Sequence, residues 1–289
     1  MMSFKLVTDT ASDLPRAYLE KYDIDVLSLA YIIDGDTYNW NAPMDEHEFY
    51  DTMRNGSMPT TSQVNIEDAE TLFEKLIENH DEILCVAFSS GLSGTYNSIA
   101  VAAQNVSEAH PDKKIRVVDT KAASMGEGLM VEWARKMRDE GKTADEVADF
   151  MEANFNKFAH VVVVDDLNHL HRGGRVSKAT AIVGSLANIK PIIHVDDEGH
   201  LITIGKIRGR RKALAHLVDL MEEKMGDHVA DNQTVFISHG DCLEDAQFVA
   251  DEIKKRFGID DFMINFVGPT IGAHTGPGVI ALFFYGDKR

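Results

Sequence analysis

An apolar hexapeptide, Ile83-Leu84-Cys85-Val86-Ala87-Phe88, runs straight into Ser89-Ser90-Gly91-Leu92-Ser93-Gly94-Thr95-Tyr96, and this junction limits the fold more than any other stretch. The hexapeptide is too short for a helix and has no helical period, so it reads as a strand buried on both faces. Beyond the junction Tyr96, Ile99, Ala100, Ala103 and Val106 recur at the spacing of a helix's inner face, which predicts a helix opening near Ser93. A buried strand, a Gly/Ser turn and a helix make a βα unit, and such units build parallel sheets. The turn turns backbone N–H groups and the positive end of the helix dipole outward, beside hydroxyls that donate to an oxyanion. It equally reads as a plain connection whose Ser and Thr cap the helix.

The first half of the chain repeats the alternation. Strands are predicted at 5–9, 26–33, 83–88 and 115–118, with helices at 16–22, 45–53, 66–79, 129–140 and 143–156, the last opened by a Thr143/Glu146 capping box. Residues 38–43 read as irregular and Thr60-Thr61-Ser62-Gln63 as a hydroxyl-rich loop. The second half mixes patterns. A strand at 159–164 is followed by two helical pieces over 168–189 around His171-Arg172-Gly173-Gly174-Arg175. Next come a short-looped, hence antiparallel, hairpin at 191–195 and 201–204, a helix at 211–225, a strand at 234–238, a helix at 243–257 and a strand at 262–267. A glycine-rich loop, 268–278, carries His274 into a last strand at 279–285. At 289 residues and 44% hydrophobic content the chain has material for two cores. The expected fold class is α/β with two domains: 1–158 with a mostly parallel sheet, and 159–289 as an α+β unit with a mixed sheet. The ligand site is expected between them, at the strands' carboxyl ends.

Charge narrows the function. A formal net charge of −18 argues against a general nucleic-acid binder. From His171 to Lys212 nine Lys/Arg meet three Asp/Glu, a local +6 that leaves −24 for the remainder. That basic island reads either as solvated surface or as a docking face for an acidic partner. No apolar run approaches the ~18 residues of a membrane span, so no stable membrane insertion is expected, and Met1-Met2-Ser3-Phe4-Lys5 has no signal-peptide pattern. Cytoplasmic placement is the default expectation. Cys85 and Cys242 offer neither a disulfide framework nor metal spacing, and no His/Asp/Glu set has a ligand spacing, so no metal is expected.

Three stretches pair hydroxyls or an imidazole with glycines that let backbone approach a ligand: Thr60 to Gln63, Ser89 to Tyr96, and Gly272 to Gly278 around His274. Hydroxyls plus one imidazole suit a carboxylate or phosphate better than a metal. A serine hydrolase with Ser93 as nucleophile and His274 as base is the enzyme reading. Its elbow is broken, however, because Thr95 stands where Gly-x-Ser-x-Gly requires its second Gly, and Asp165 and Asp241 compete as the acid. Neither a P-loop nor a complete Gly-x-Gly-x-x-Gly occurs, so no nucleotide cofactor is expected.

Seven pieces in register resemble the DegV family of bacterial fatty-acid-binding proteins: Thr61-Ser62-Gln63; Ser89 to Tyr96; Val118-Asp119-Thr120 with Gly126-x-Gly128; Gly173-Gly174-Arg175-Val176-Ser177; Lys190-Pro191-Ile192; Arg208-Gly209-Arg210-Arg211-Lys212-Ala213; and Gly272 to Gly278. The resemblance implies a non-enzymatic protein that holds a long-chain fatty acid in a buried tunnel and presents its carboxylate to a separate ATP-dependent fatty acid kinase, for phospholipid synthesis. It implies Thr61, Ser93 and His274 as carboxylate ligands, with Ser62, Gly94 and Thr275 beside them, and Arg172, Arg175, Arg208 and Arg210 as a kinase-docking face. Bound fatty acid is the only small molecule implied. Leu92, Ile99, Met125, Val183, Leu186 and Ile280 are candidates for lining the tail, or ordinary core. One departure stands: the family usually continues Pro-Ser after the Gln, whereas Val64-Asn65 follow here, which leaves the first loop's role open among Thr60, Thr61 and Ser62. A third reading is an interaction module working through the basic island alone.

Overall fold

The computed structural model describes residues 4–177 and 188–289. The first half runs β1 (Lys5–Asp9), α1 (Arg16–Lys21), β2 (Ile24–Leu27), β3 (Ala30–Ile33), β4 (Asp36–Asn39), α2 (Glu46–Arg54), β5 (Thr60–Ser62), α3 (Ile66–Ile77), β6 (Glu82–Ala87), α4 (Thr95–Ala109), β7 (Lys114–Asp119), α5 (Met125–Asp139) and α6 (Ala144–Asn154). The second runs β8 (Phe158–Val163), α7 (Leu167–Arg172), β9 (Ile189–Val195), β10 (Leu201–Arg208), α8 (Arg210–Met225), β11 (Val235–His239), α9 (Leu243–Phe257), β12 (Phe262–Phe266), α10 (Pro269–Thr275) and β13 (Ile280–Tyr285).

Strands β2, β1, β6 and β7 form an all-parallel sheet in that order. Central β1 and β6 are buried along almost their whole length, which is why β6 reads as a nearly unbroken apolar run, whereas β1 also buries Lys5, Thr8 and Asp9. The second sheet, β10-β9-β8-β13-β11-β12, is mixed, with only β11 and β12 parallel. The expected α/β class with a parallel and a mixed sheet is therefore the observed one. Helix α5 packs on β1 and β6 and also on β8, β11 and β13, so its two sides are both interior. One apolar cluster accordingly joins Leu6, Leu84 and Met130 to Phe158, Val162 and Phe283. The other face of the mixed sheet buries Val161, Val163 and Leu282 against Leu217, Met221 and Val249 of α8 and α9. Thr143 and Glu146 form the capping box expected for α6. Among the described residues no helix is long and apolar enough to cross a membrane.

The structure differs from the sequence reading in five places. Residues 26–33 are two strands: β2 ends its parallel pairing at Leu27, opposite Asp9, and β3 joins a separate antiparallel sheet, β4-β3-β5. The break is held by Thr10 Oγ1, which accepts from Leu29 N (3.0 Å), and by Ser28 Oγ, which accepts from Trp40 N (3.0 Å). The stretch read as irregular begins in β4, and the hydroxyl-rich loop is the edge strand β5. The glycine-rich loop is mostly helix α10, opened by Pro269, whose fixed φ suits a first turn, and stopped at Gly276 with φ +76°. Helix α5 starts at Met125, four residues before the position its apolar spacing indicated. Val183, Leu186 and the second helical piece expected within 168–189 lie outside the described residues.

Candidate functional site

A cavity of about 390 Å³ lies between the two sheets, lined from both halves of the chain. At one end three elements converge. Thr61 comes from β5, Ser93 and Gly94 from the turn before α4, and His274 from the last turn of α10. Thr61 Oγ1 and His274 Nε2 are hydrogen-bonded at 2.8 Å. Because strand side chains alternate, Thr60 and Ser62 lie on the other face of β5 from Thr61; both are exposed, and Ser62 also lines the cavity. Thr275 also lines the cavity, but its hydroxyl turns back to donate to Ile271 O (3.3 Å).

The octapeptide divides its labour. Ser89 Oγ donates to Gly199 O in the β9–β10 turn (2.9 Å), and Ser90 Oγ accepts from Lys121 Nζ (2.8 Å). Thr95 Oγ1 accepts from Val64 N (3.3 Å) and pairs with Ser93 Oγ at 3.0 Å. Ser93 Oγ accepts from the N of Thr95, the first residue of α4 (3.2 Å), while lining the cavity. The inner face of α4 is Thr95, Ser98, Ile99, Ala102, Ala103 and Val106, with Tyr96 and Ala100 only half-buried. Val64-Asn65, the departure from the family pattern, keeps the loop in place: Val64 N bonds Thr95, and Asn65 caps α3 through Glu67 N (2.9 Å).

Two further residues belong to this end. Gln63 Nε2 donates to Ser98 Oγ (2.8 Å), and its carbonyl lies where a Cβ on Gly94 would stand. Gly173 presses backbone against His274 Nδ1 so closely that a Cβ would overlap the ring. That contact requires glycine at 173, and the positive φ of +77° favours it at 174. Nδ1 itself is buried and has no hydrogen-bond partner among the described residues. Burial, with the nearby Arg175 and Arg172 charges, lowers the His274 imidazole to about 4, so the ring is neutral at pH 7. An anion placed against it raises its pKa toward the protonated form.

No catalytic triad is assembled among the described residues. Ser93 pairs with Thr95 and His274 with Thr61, while Asp165 is bound by Lys190 (2.7 Å) and Arg210 (3.0 Å), and Asp241 by Arg54 (2.5 Å) and His47 (2.6 Å). The four arginines also separate. Arg175 is half-buried in the cavity wall, its Nε donating to Leu92 O (3.0 Å), and burial lowers its pKa. Arg210 is held by Asp165 and Asp245. Arg172 and Arg208 are exposed, Arg172 donating to His169 Nδ1 (3.0 Å). Among the described residues no group of His, Cys, Asp and Glu could hold a metal ion.

The cavity floor is the inner face of the mixed sheet. Register sets Ala281, Val162 and Ile193 side by side, and in the next row out Phe283 faces His160, with Val195 and Leu201 paired beyond. Of the expected tail-lining residues Leu92 is in the wall; Ile99, Met125 and Ile280 are core outside it. A histidine interrupting an apolar strand was the available signal for His160.

A second cavity of about 290 Å³ shares Leu29 and Thr270 with the first and is lined by Asp9 and Asp13. Burial pushes Asp9 up to about 7, against the amides of Phe88 and Ala11 that donate to it (2.9 Å each). Burial pushes Asp13 up to about 8, although Ser124 Oγ bonds it at 2.5 Å. Glu127, bonded by Thr8 Oγ1 (2.9 Å), is raised well above the usual range by burial and by Asp9.

Comparison with known proteins matches residues 3–287 to one family model, described as uncharacterised protein, DegV family. A DegV domain-containing protein of Clostridium perfringens is 42% identical over 291 aligned positions, covering 100% of this chain and 99% of that protein. Among solved structures, a fatty acid binding DegV family protein from Streptococcus agalactiae has a TM-score of 0.85 at 30% identity, covering 100% of both chains. A DegV family protein from Thermus thermophilus, whose structure is described as showing fatty acid binding, has a TM-score of 0.87 at 29% identity, covering 99% of this chain and 100% of that one.

Proposed function

This chain belongs to the DegV family, and from that membership and the cavity's geometry we propose that it binds a long-chain fatty acid, carboxylate at the His274 end and tail along the sheet floor. The observation that carries the reading is an interior apolar cavity with Thr61, Ser93 and His274 gathered at one end. Buried methylenes supply affinity, at about 0.8 kcal/mol each. The polar groups supply orientation. Ser93 and the first-turn amides of α4 offer donors at the positive end of a helix dipole, and the Arg175 charge adds to the same field. All of these favour an ionised carboxylate.

The finer parts of the proposal are that Thr61, Ser93 and His274 contact the carboxylate, with Ser62, Gly94 and Thr275 adjoining. The protein presents that group to a separate fatty acid kinase in the cytoplasm, and residues 1–158 and 159–289 are the two domains that enclose it. Exposed Arg172 and Arg208 are the better docking candidates, since Arg175 and Arg210 are engaged inside. Native mass spectrometry of protein purified from a bacterial host is expected to reveal co-purified acyl chains, and delipidated protein to rebind oleate or palmitate. Absence of both co-purified lipid and rebinding would overturn the reading.

A further inference from the structure

His160 is fully buried in the middle of β8, and neither of its ring nitrogens has a hydrogen-bond partner among the described residues. Leaving such a group unpaired is costly, and natural interiors seldom do so without cause. The ring lies in the wall of the large cavity, edge-on to Phe283 (5.5 Å between centroids) and close over Gly126, where a Cβ would come within 2.8 Å of Nε2. Burial holds it neutral, so it carries one N–H donor and one bare acceptor nitrogen. Apolar side chains surround it in the floor: Val162, Val195 and Phe283.

Its place along the cavity is set by register. The carboxyl end of β8 lies beside Ile280, at the start of the strand that follows α10 and His274. Val164 lines the cavity there, and His160 lies four residues back along the same segment. Four strand residues span roughly 13 Å. An extended carbon chain covers that distance in on the order of eleven bonds.

We propose that His160 is a second polar reading point in the tunnel, selecting acyl chains that carry a hydroxyl or keto oxygen about ten to twelve carbons from the carboxylate. The neutral ring donates to a keto oxygen, or both donates to and accepts from a hydroxyl. This rests on the fatty-acid reading and names the substrate class of the same cavity. A plain chain leaves the ring unpaired, whereas an oxygenated chain satisfies it.

The test compares stearate with 12-hydroxystearate and 10-hydroxystearate on delipidated protein, by calorimetry or displacement of a fluorescent fatty acid. Wild type is expected to bind at least one hydroxystearate no more weakly than stearate. In His160→Leu the hydroxystearate affinity is expected to fall at least about tenfold while stearate changes less than about threefold. His160→Gln, which keeps a donor and an acceptor, is expected to regain part of the preference, and a native-like melting transition in each variant excludes misfolding. An affinity ratio that is the same in wild type, His160→Leu and His160→Gln overturns the inference and assigns the ring to a buried water. If stearate itself does not bind the wild type, the fatty-acid reading falls first.

Discussion

Two polar clusters sit within one wall of each other, both near the carboxyl ends of parallel strands, yet they suit opposite occupants. The His274 end of the large cavity offers hydroxyls, a helix N-terminus and Arg175; the neighbouring pocket offers Asp9 and Asp13, with Glu127 buried behind. Leu29 and Thr270 belong to both walls. A carboxylate finds donors in the first and like charge or protonated acid in the second. On the proposed reading, the orientation of an acyl chain follows from where donors are concentrated, since apolar surface alone would accept either direction. The acids are kept close to neutral by burial, so the arrangement costs least when they hold their protons.

The comparison breaks most directly if an acid is moved across the wall. Ser93→Asp is expected to abolish oleate binding, a loss of at least about a hundredfold by displacement fluorimetry, because a buried like charge opposes the head. Ser93→Ala loses only about tenfold, the worth of one hydrogen bond to a charged group. Equal losses in the two variants would mean that donors do not set the orientation.

His274→Ala is expected to weaken oleate about tenfold and to change the pH dependence. Burial holds the imidazole's pKa at about 4 without an anion, and a carboxylate raises that value, so binding takes up protons and affinity rises as pH falls from about 7 to 5.5. A wild-type affinity independent of pH, or one that falls, contradicts this account.

The acid pocket makes a smaller prediction on stability. Asp13 at about 8 and Asp9 at about 7 lie above the roughly 3.9 of an unfolded Asp. The folded state binds more protons in that interval, so their stabilisation is complete below about pH 4 and lost as pH rises through 7 to 8. The buried histidines act in the opposite sense, their contribution being lost as pH falls below about 6.5. Above about 6.5 the acids dominate. The melting temperature should therefore drop between about pH 6.5 and 8.5, and Asp13→Asn, which mimics the protonated acid, should flatten that drop. A slope unchanged in the variant would free Asp13 of the effect. The smallest change is Gln63→Ala, which loosens the Ser93 turn from β5 and is expected to weaken oleate by about threefold with little change in melting.

Much of this was legible before any coordinates. The strand–turn–helix at Ile83 to Val106, the Thr143 capping box and the β9–β10 hairpin each depend on neighbours in sequence, and each is where its pattern indicated. Hydroxyl- and imidazole-bearing loops marked three stretches, the family resemblance singled out Thr61, Ser93 and His274 within them, and the structure brings all three to one cavity. Other features resisted. Residues 26–33 have one uniform pattern but join two sheets, because Leu27 meets Asp9 and Tyr31 meets Thr61, partners that local spacing does not reveal. The reason for Gly173 was not legible either, since its backbone packs against His274, a residue 101 positions away.

The sequence by itself determined the elements, the alternation that makes a parallel sheet, and the residue types able to hold a carboxylate, because periodic burial and capping are local. The tertiary structure alone decided which of them meet. Thr61 and His274 are 213 positions apart, and only the packing of α10 on β5 puts their polar atoms at 2.8 Å. It also separated donors from acids across Leu29 and Thr270, and buried His160 in an apolar floor. Proximity between distant segments and the degree of desolvation are properties of the packed whole, and together they set which hydroxyl faces the cavity, which acid keeps its proton and which imidazole stays neutral.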